Sequence, residues 1–184
     1  MFIQTEQTPN PSTLKFLPGR VVMEKGTVDF AGVDSAQSSP LARRLFAVEG
    51  VERVFFGSDF VTVTKAADRD WQMLKPSILG GIMEHFTSGE PVIAAEAGSG
   101  AAGADAEDDE VVAQIKELLE TRVRPAVAQD GGDIVFQDFK DGVVYLHMQG
   151  SCSGCPSSTA TLKMGIENLL KHYVPEVVEV QAAR

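Results

Sequence analysis

Cysteine is almost missing from this chain: there are two in 184 residues, Cys152 and Cys155. A framework of structural disulfides is thereby excluded, and one copy cannot supply four thiolates to a metal. Histidine is nearly as scarce, with only His85, His147 and His172, so a mixed Cys/His site has few donors to draw on. No apolar run approaches the ~18 residues that span a bilayer, which removes membrane insertion through a helix. Behind Met1 the chain is polar and threonine-rich. It shows neither the basic start and apolar core of a secretory signal nor the arginine-rich amphipathic pattern of an organelle presequence. The expectation is a bacterial cytoplasmic protein, or the mature form of a mitochondrial or other organellar one. In a reducing compartment a lone C-x-x-C is catalytic or metal-binding more often than a structural disulfide.

A basic excess is missing too. Lysine and arginine number 16 against 26 aspartates and glutamates, a formal net charge of -10. The cysteine-bearing stretch, residues 108–184, holds seven basic residues against twelve acidic ones. Such a surface repels phosphate backbones, which argues against nucleic acid as a partner and leaves solubility as the plain use of the charge.

Large apolar side chains give way to Ala, Gly, Ser and acids in "VIAAEAGSGAAGADAEDDE", residues 92–110. That composition cannot bury enough surface to offset its ordering entropy and reads as a flexible linker. We therefore expect two small α+β domains, residues 1–89 and 108–184, joined by an Ala/Gly/acidic linker over 90–107, with no internal repeat relating them. In the first, Pro9 and Pro11 around Asn10 force a turn between two strands. "SPLARRLFAVEG" reads as Ser39 cap, Pro40 in the first helical turn and a stop at Gly50. "VERVFFGSDFVTVTKA" reads as a hairpin turning at Gly57, Ser58 and Asp59. Trp71, Leu74, Ile78, Ile82 and Phe86 recur at helical spacing, with Pro76 and Gly80-Gly81 as expected irregularities.

The second domain reads as α-β-β-α-β. Val112, Ile115, Leu118, Leu119 and Val123 share a helix face, with a bend expected near Pro125 and an end at Asp130–Gly132. "DIVFQDF" and "VVYLHM" form a hairpin across Lys140–Gly142. Leu162, Ile166, Leu169, Leu170 and Tyr173 mark a second helix stopped by Pro175, and "VVEV" adds a strand.

This order places "GSCSGCPSS", residues 150–158, between a strand and a helix N-terminus. Unpaired N–H groups and partial positive charge at such an end favour thiolate over thiol. Gly150 and Gly154 permit a tight turn, Pro156 suits the first helical turn, and Ser157, Ser158 and Thr159 offer hydroxyls. Four readings compete. Two small half-buried side chains is the plain one, and paired spacing between glycines weakens it. A thiol–disulfide oxidoreductase needs the same thiolate, but a redox C-x-x-C is expected near a βαβ pattern, whereas a helix and a hairpin precede this one. A zinc-stabilised interaction module needs four donors, with His147 the first candidate for a third. Half of an iron–sulfur site is the fourth: a cluster takes four thiolates, so two copies facing across a two-fold axis would share one 4Fe-4S cluster.

"RPAVAQDGGDIVF", "VYLHMQGSCSGCPSSTATLK" and "GIENLLKHYVPEV" strongly resemble the C-terminal NifU-like domain of the Nfu iron–sulfur scaffold and carrier proteins. "FIQTEQTPNPSTLKFLPG" resembles the N-terminal domain that precedes it in many of them. The likeness covers nearly the whole chain apart from the linker. It implies a carrier and not an enzyme, which binds a labile 4Fe-4S cluster (or 2Fe-2S) at a homodimer interface. An upstream donor supplies the cluster and apo iron–sulfur client proteins receive it. The family's cluster ligands map onto Cys152 and Cys155, and its N-terminal domain is associated with folding or target recognition. The runner-up from another class is the C-x-x-C oxidoreductase.

Overall fold

The computed structural model describes residues 1–94, 110–153 and 156–183, with the side chains of 156–158 also outside the description. The chain divides into two compact α+β units, Met1–Ala102 and Gly103–Arg184.

The first unit is built on a five-stranded antiparallel sheet. Its strands are β1 (Gln4–Gln7), β2 (Thr13–Leu17), β3 (Val28–Phe30), β4 (Val51–Phe56) and β5 (Val61–Lys65), in the order β1-β2-β5-β4-β3. The expected turn between the first two strands forms around buried Asn10, whose side chain accepts from Ser12 N at 3.0 Å. Two helices follow the expected signals, α1 (Pro40–Phe46) and α2 (Trp71–Ser88). Ser39 caps α1 by accepting from Ala42 N at 3.1 Å, and Asp70 caps α2 by accepting from Gln72 N at 2.9 Å. Phe16, Phe56, Leu41, Leu45, Ile78 and Ile82 are fully buried in one core.

Three sequence expectations need correction here. The helix from Ser39 closes at Ala47 rather than Gly50, and Gly50 instead leads into β4, its carbonyl accepting from Ala66 N at 2.8 Å. Helix α2 runs unbroken through Pro76, Gly80 and Gly81, held by the apolar face of Leu74, Ile78 and Ile82. Residues 90–94, assigned above to the linker, pack on this unit: Ser39 Oγ donates to the Val92 carbonyl, Ala94 N donates to Ser38 O at 2.8 Å, and Val92 joins the core. Pro91 and Val92 are apolar enough to stay. The rest of the expected linker lies outside the described residues. Strand β3 and a 3-10 turn at Val33–Ser38 carried no periodicity strong enough to read.

The second unit follows the expected α-β-β-α-β order. Helix α3 (Glu110–Leu118) continues through a π turn (Leu119–Val123) into α4 (Arg124–Gln129). The bend anticipated near Pro125 is this π turn, one turn earlier. Proline has no N–H to give the Thr121 carbonyl, and widening the preceding turn accommodates its ring. Strands β6 (Gly132–Lys140) and β7 (Val143–Gly150) pair antiparallel, and Asp141 (φ 52°) with Gly142 (φ 80°) makes the two-residue turn that suits their twist. Helix α5 (Pro156–Tyr173) then crosses over to β8 (Glu179–Ala182), which pairs parallel to β7. Helices pack on the face of the sheet carrying Ile134, Val144, Leu146 and Val180, with Ile115, Ile166 and Leu170 across from them.

Candidate metal centre

The cysteine loop leaves the end of β7, where the chain must turn before α5 begins. Gly150 makes that turn with φ 63°, a left-handed backbone that favours glycine. Opposite it lies a second turn, Asp130–Gly132, which joins α4 to β6. Gly132 pairs with Gly150 in the last rung of the β6–β7 ladder. Ser151 carries the pairing one residue further: its N–H donates to Gly131 O at 3.2 Å, and its hydroxyl donates to the Asp130 carbonyl. From the other side, Thr159 Oγ1 in the first turn of α5 donates to Cys152 O at 3.2 Å. Ser151 is 1% exposed, so its polar groups depend on these bonds.

Cys152 sits inside this cage at 6% exposure and belongs to the hydrophobic core of the unit. Gly132 makes room for it. A methyl group on Gly132 would lie 2.6 Å from Cys152 Sγ, 2.9 Å from the Gln149 carbonyl oxygen and 3.1 Å from Cys152 N. The expectation of a loop that favours thiolate fails at this residue. Burial raises the Cys152 thiol to about 11 and outweighs a favourable hydrogen bond from Ser151; the negative charges of Asp130 and Asp133 add to the rise. Asp133 is itself 3% exposed and is held by Arg124 through two bonds of 2.9 Å, while its Oδ1 also accepts from Ile134 N at 2.8 Å.

Cys155 and Gly154 lie outside the described residues, as do the side chains of Ser157 and Ser158. His147 is not brought to the site. Along β7, Val144, Leu146 and Met148 are buried on the helix side, and His147 alternates to the opposite face. His172 packs edge-on against Tyr173 at the far end of α5, and His85 belongs to the other unit. Among the described residues no three of His, Cys, Asp and Glu cluster as metal ligands. The zinc reading needs a third donor beside Cys152 and Cys155, and His147 stands on the sheet face opposite the core that holds Cys152. Sequence reasoning missed Gly132, Ser151 and the Arg124–Asp133 pair. The one available signal was the doubled glycine of "DGGD", read above only as the end of a helix.

Residues 3–89 match the N-terminal domain of scaffold protein Nfu/NifU, and residues 115–181 match the NifU-like domain. The chain belongs to the Nfu/NifU-like family of scaffold proteins. Its relatives in that family include the mitochondrial NFU1 iron-sulfur cluster scaffold homolog of Homo sapiens, 57% identical over 182 residues that cover 98% of this chain and 71% of that protein. NifU-like protein 4, mitochondrial, of Arabidopsis thaliana is 57% identical over 185 residues, 98% of this chain and 65% of its own length. A solved NifU-like protein from Saccharomyces cerevisiae overlays 52% of this chain and 86% of its own, with 29% identity and a TM-score of 0.47. No described helix of this Nfu-family chain is long and apolar enough to cross a membrane.

Proposed function

We propose that this chain is an iron–sulfur cluster scaffold and carrier in which Cys152 and Cys155 of two copies hold a labile 4Fe-4S cluster and pass it to apo iron–sulfur proteins. The observation that carries the reading is the cysteine loop itself. It is pinned at its start by backbone pairing to the Asp130–Gly132 turn and tied to α5 through Thr159, and His147 alternates to the sheet face opposite the core that holds Cys152. Two thiolates per chain against the four a cluster takes call for a second copy. A soft donor set of this kind suits iron–sulfide cargo. The described loop holds no acid–base or nucleophilic constellation, so the role is binding and delivery rather than catalysis.

Residues 108–184 act as the cluster module, with residues 1–89 serving recognition of donor or client and 90–107 as the tether. The working compartment is the mitochondrion, in keeping with the relatives' names, or a bacterial cytoplasm. The oxidoreductase alternative needs a low-pKa attacking thiol. The buried, raised thiol of Cys152 leaves that task to Cys155 alone.

Anaerobic reconstitution with iron and sulfide, followed by metal analysis and light scattering, tests the reading. Saturation near four irons per dimer is expected, with Cys152→Ser and Cys155→Ser each losing most of the cluster. A stable, fully loaded monomer refutes the shared site. Disulfide reduction by the metal-free protein, with a mixed-disulfide adduct trapped in one variant only, establishes the oxidoreductase instead.

A further inference from the structure

A cluster ligand has to offer its sulfur outward, yet Cys152 is packed among the core side chains of its unit, with Gly132 leaving just enough space for the sulfur. Its neighbour holds it there. Ser151 has two bonds to the facing turn, N–H to Gly131 O and hydroxyl to Asp130 O, and both join residues about twenty positions apart in sequence. Thr159 fixes the carbonyl of Cys152 from the helix side. Ser151 and Thr159 thus hold the backbone on both sides of Cys152, and a backbone rotation at 151–152 that turned the sulfur outward would break the Ser151 bonds first.

We propose that Ser151 is a positioning residue which latches Cys152 in a withheld, inward position, so that cluster uptake opens the latch and cluster release is helped by its closing. The second half rests on the carrier reading above; the first does not. As Cys152 binds iron, its S–H bond breaks, the proton goes to solvent and an Fe–S bond forms. On delivery the acceptor's cysteine thiol loses a proton to solvent as it takes the iron, and the Cys152 sulfur is reprotonated from solvent. No electron moves in either exchange. Return of the sulfur to an apolar site, with Ser151 bonded again to Asp130 and Gly131, competes with rebinding and gives delivery a direction. A ligand that was always exposed would hold its cargo with no such bias.

The test uses the metal-free full-length chain and iodoacetamide, with labelling at Cys152 followed by peptide mass spectrometry. Cys152 is expected to react at least about a hundredfold more slowly than in the guanidinium-unfolded chain. Ser151→Ala is expected to raise its rate roughly five- to tenfold, the equivalent of one net hydrogen bond. Thr159→Val, at a half-buried position outside the turn, is expected to raise it in the same direction, and far-UV circular dichroism confirms that both variants fold. In reconstitution, Ser151→Ala should take up cluster faster and deliver it more slowly to an apo ferredoxin. A purely structural defect would slow both. Labelling of wild-type Cys152 at the unfolded rate, equal labelling in Ser151→Ala and wild type, or uptake and delivery changing in the same direction each overturn the latch. If wild-type protein takes up no cluster, the carrier reading and the delivery half fall, while the labelling still decides whether Ser151 withholds the sulfur.

Discussion

One substitution, glycine to alanine, should have opposite effects at two positions of the same unit. At Gly132 the new methyl group would stand 2.9 Å from the Gln149 carbonyl oxygen and 3.1 Å from Cys152 N, both backbone atoms, besides 2.6 Å from Cys152 Sγ. Backbone atoms at the end of a ladder cannot yield by rotating a side chain, so the β6–β7 strands must part. Forced overpacking of this kind costs typically 1–3 kcal/mol. The φ angle of Gly132 is not in the left-handed region, so alanine recovers about 0.4–1 kcal/mol by restricting the unfolded chain. The net loss is about 1–2 kcal/mol, or roughly 5–15 °C in midpoint for a domain of this size. Gly165 lies in the middle of α5, and nothing stands within 4 Å of a methyl group placed there. Alanine should therefore stabilise by about 0.5–1 kcal/mol through helix propensity alone. Thermal unfolding of the two variants by circular dichroism, with iron content after reconstitution, reads both signs. Gly132→Ala should also take up cluster faster, because the sulfur has lost its inward cradle. If Gly132→Ala proves as stable as wild type, or both variants shift alike, the close approach of Gly132 to Cys152 is wrong.

Arg124→Ala should strip the buried Asp133 carboxylate of its bidentate partner and cost roughly 2–4 kcal/mol, discounted from the usual range for broken buried pairs because the guanidinium is about a third exposed; urea unfolding of the second unit measures it. His85 is fully buried with neither ring nitrogen hydrogen-bonded, and burial, reinforced by the Arg44 charge, lowers its pKa below 6.5 despite Glu90 at 4.0 Å. The unfolded chain then binds the proton more readily, so the first unit should hold full stability above pH 6.5 and lose it as pH falls below that value. The only tryptophan, Trp71, belongs to this unit, so its fluorescence in urea titrations at several pH values follows the effect, which His85→Leu should flatten. Ser39→Ala removes both the α1 cap and the bond to Val92, and should lower the same fluorescence midpoint by the equivalent of about 1–2 kcal/mol.

What was legible in the sequence was what local spacing encodes. Ser39-Pro40, the Asp141-Gly142 turn and the apolar faces of α2 and α5 each act within a few residues, and each element forms where its signal stands. The short strand β3 depends on pairing with β4 and has no pattern of its own. The candidate site was half legible. The cysteine spacing announced it, but its environment arises where residues 130–133 meet 150–152, a meeting that neither segment states alone. For the same reason the thiolate expectation failed at Cys152: a helix N-terminus is a local favour to the anion, and the packing of a distant turn over the sulfur outweighs it.

Strand β8 pairs parallel to β7, so the two can meet only after the whole of α5 has crossed between them. That connection sets a timetable for a chain growing from its N-terminus. When the ribosome has just made Cys152, the core in which it will lie still lacks Ile166, Leu170 and Val180, all of them buried in the finished unit. At ~5–20 residues per second, more than a second passes before residues 179–182 have been added. The sulfur of Cys152 therefore cannot reach its buried position until the chain beyond α5 has been made and β8 has folded back beside β7.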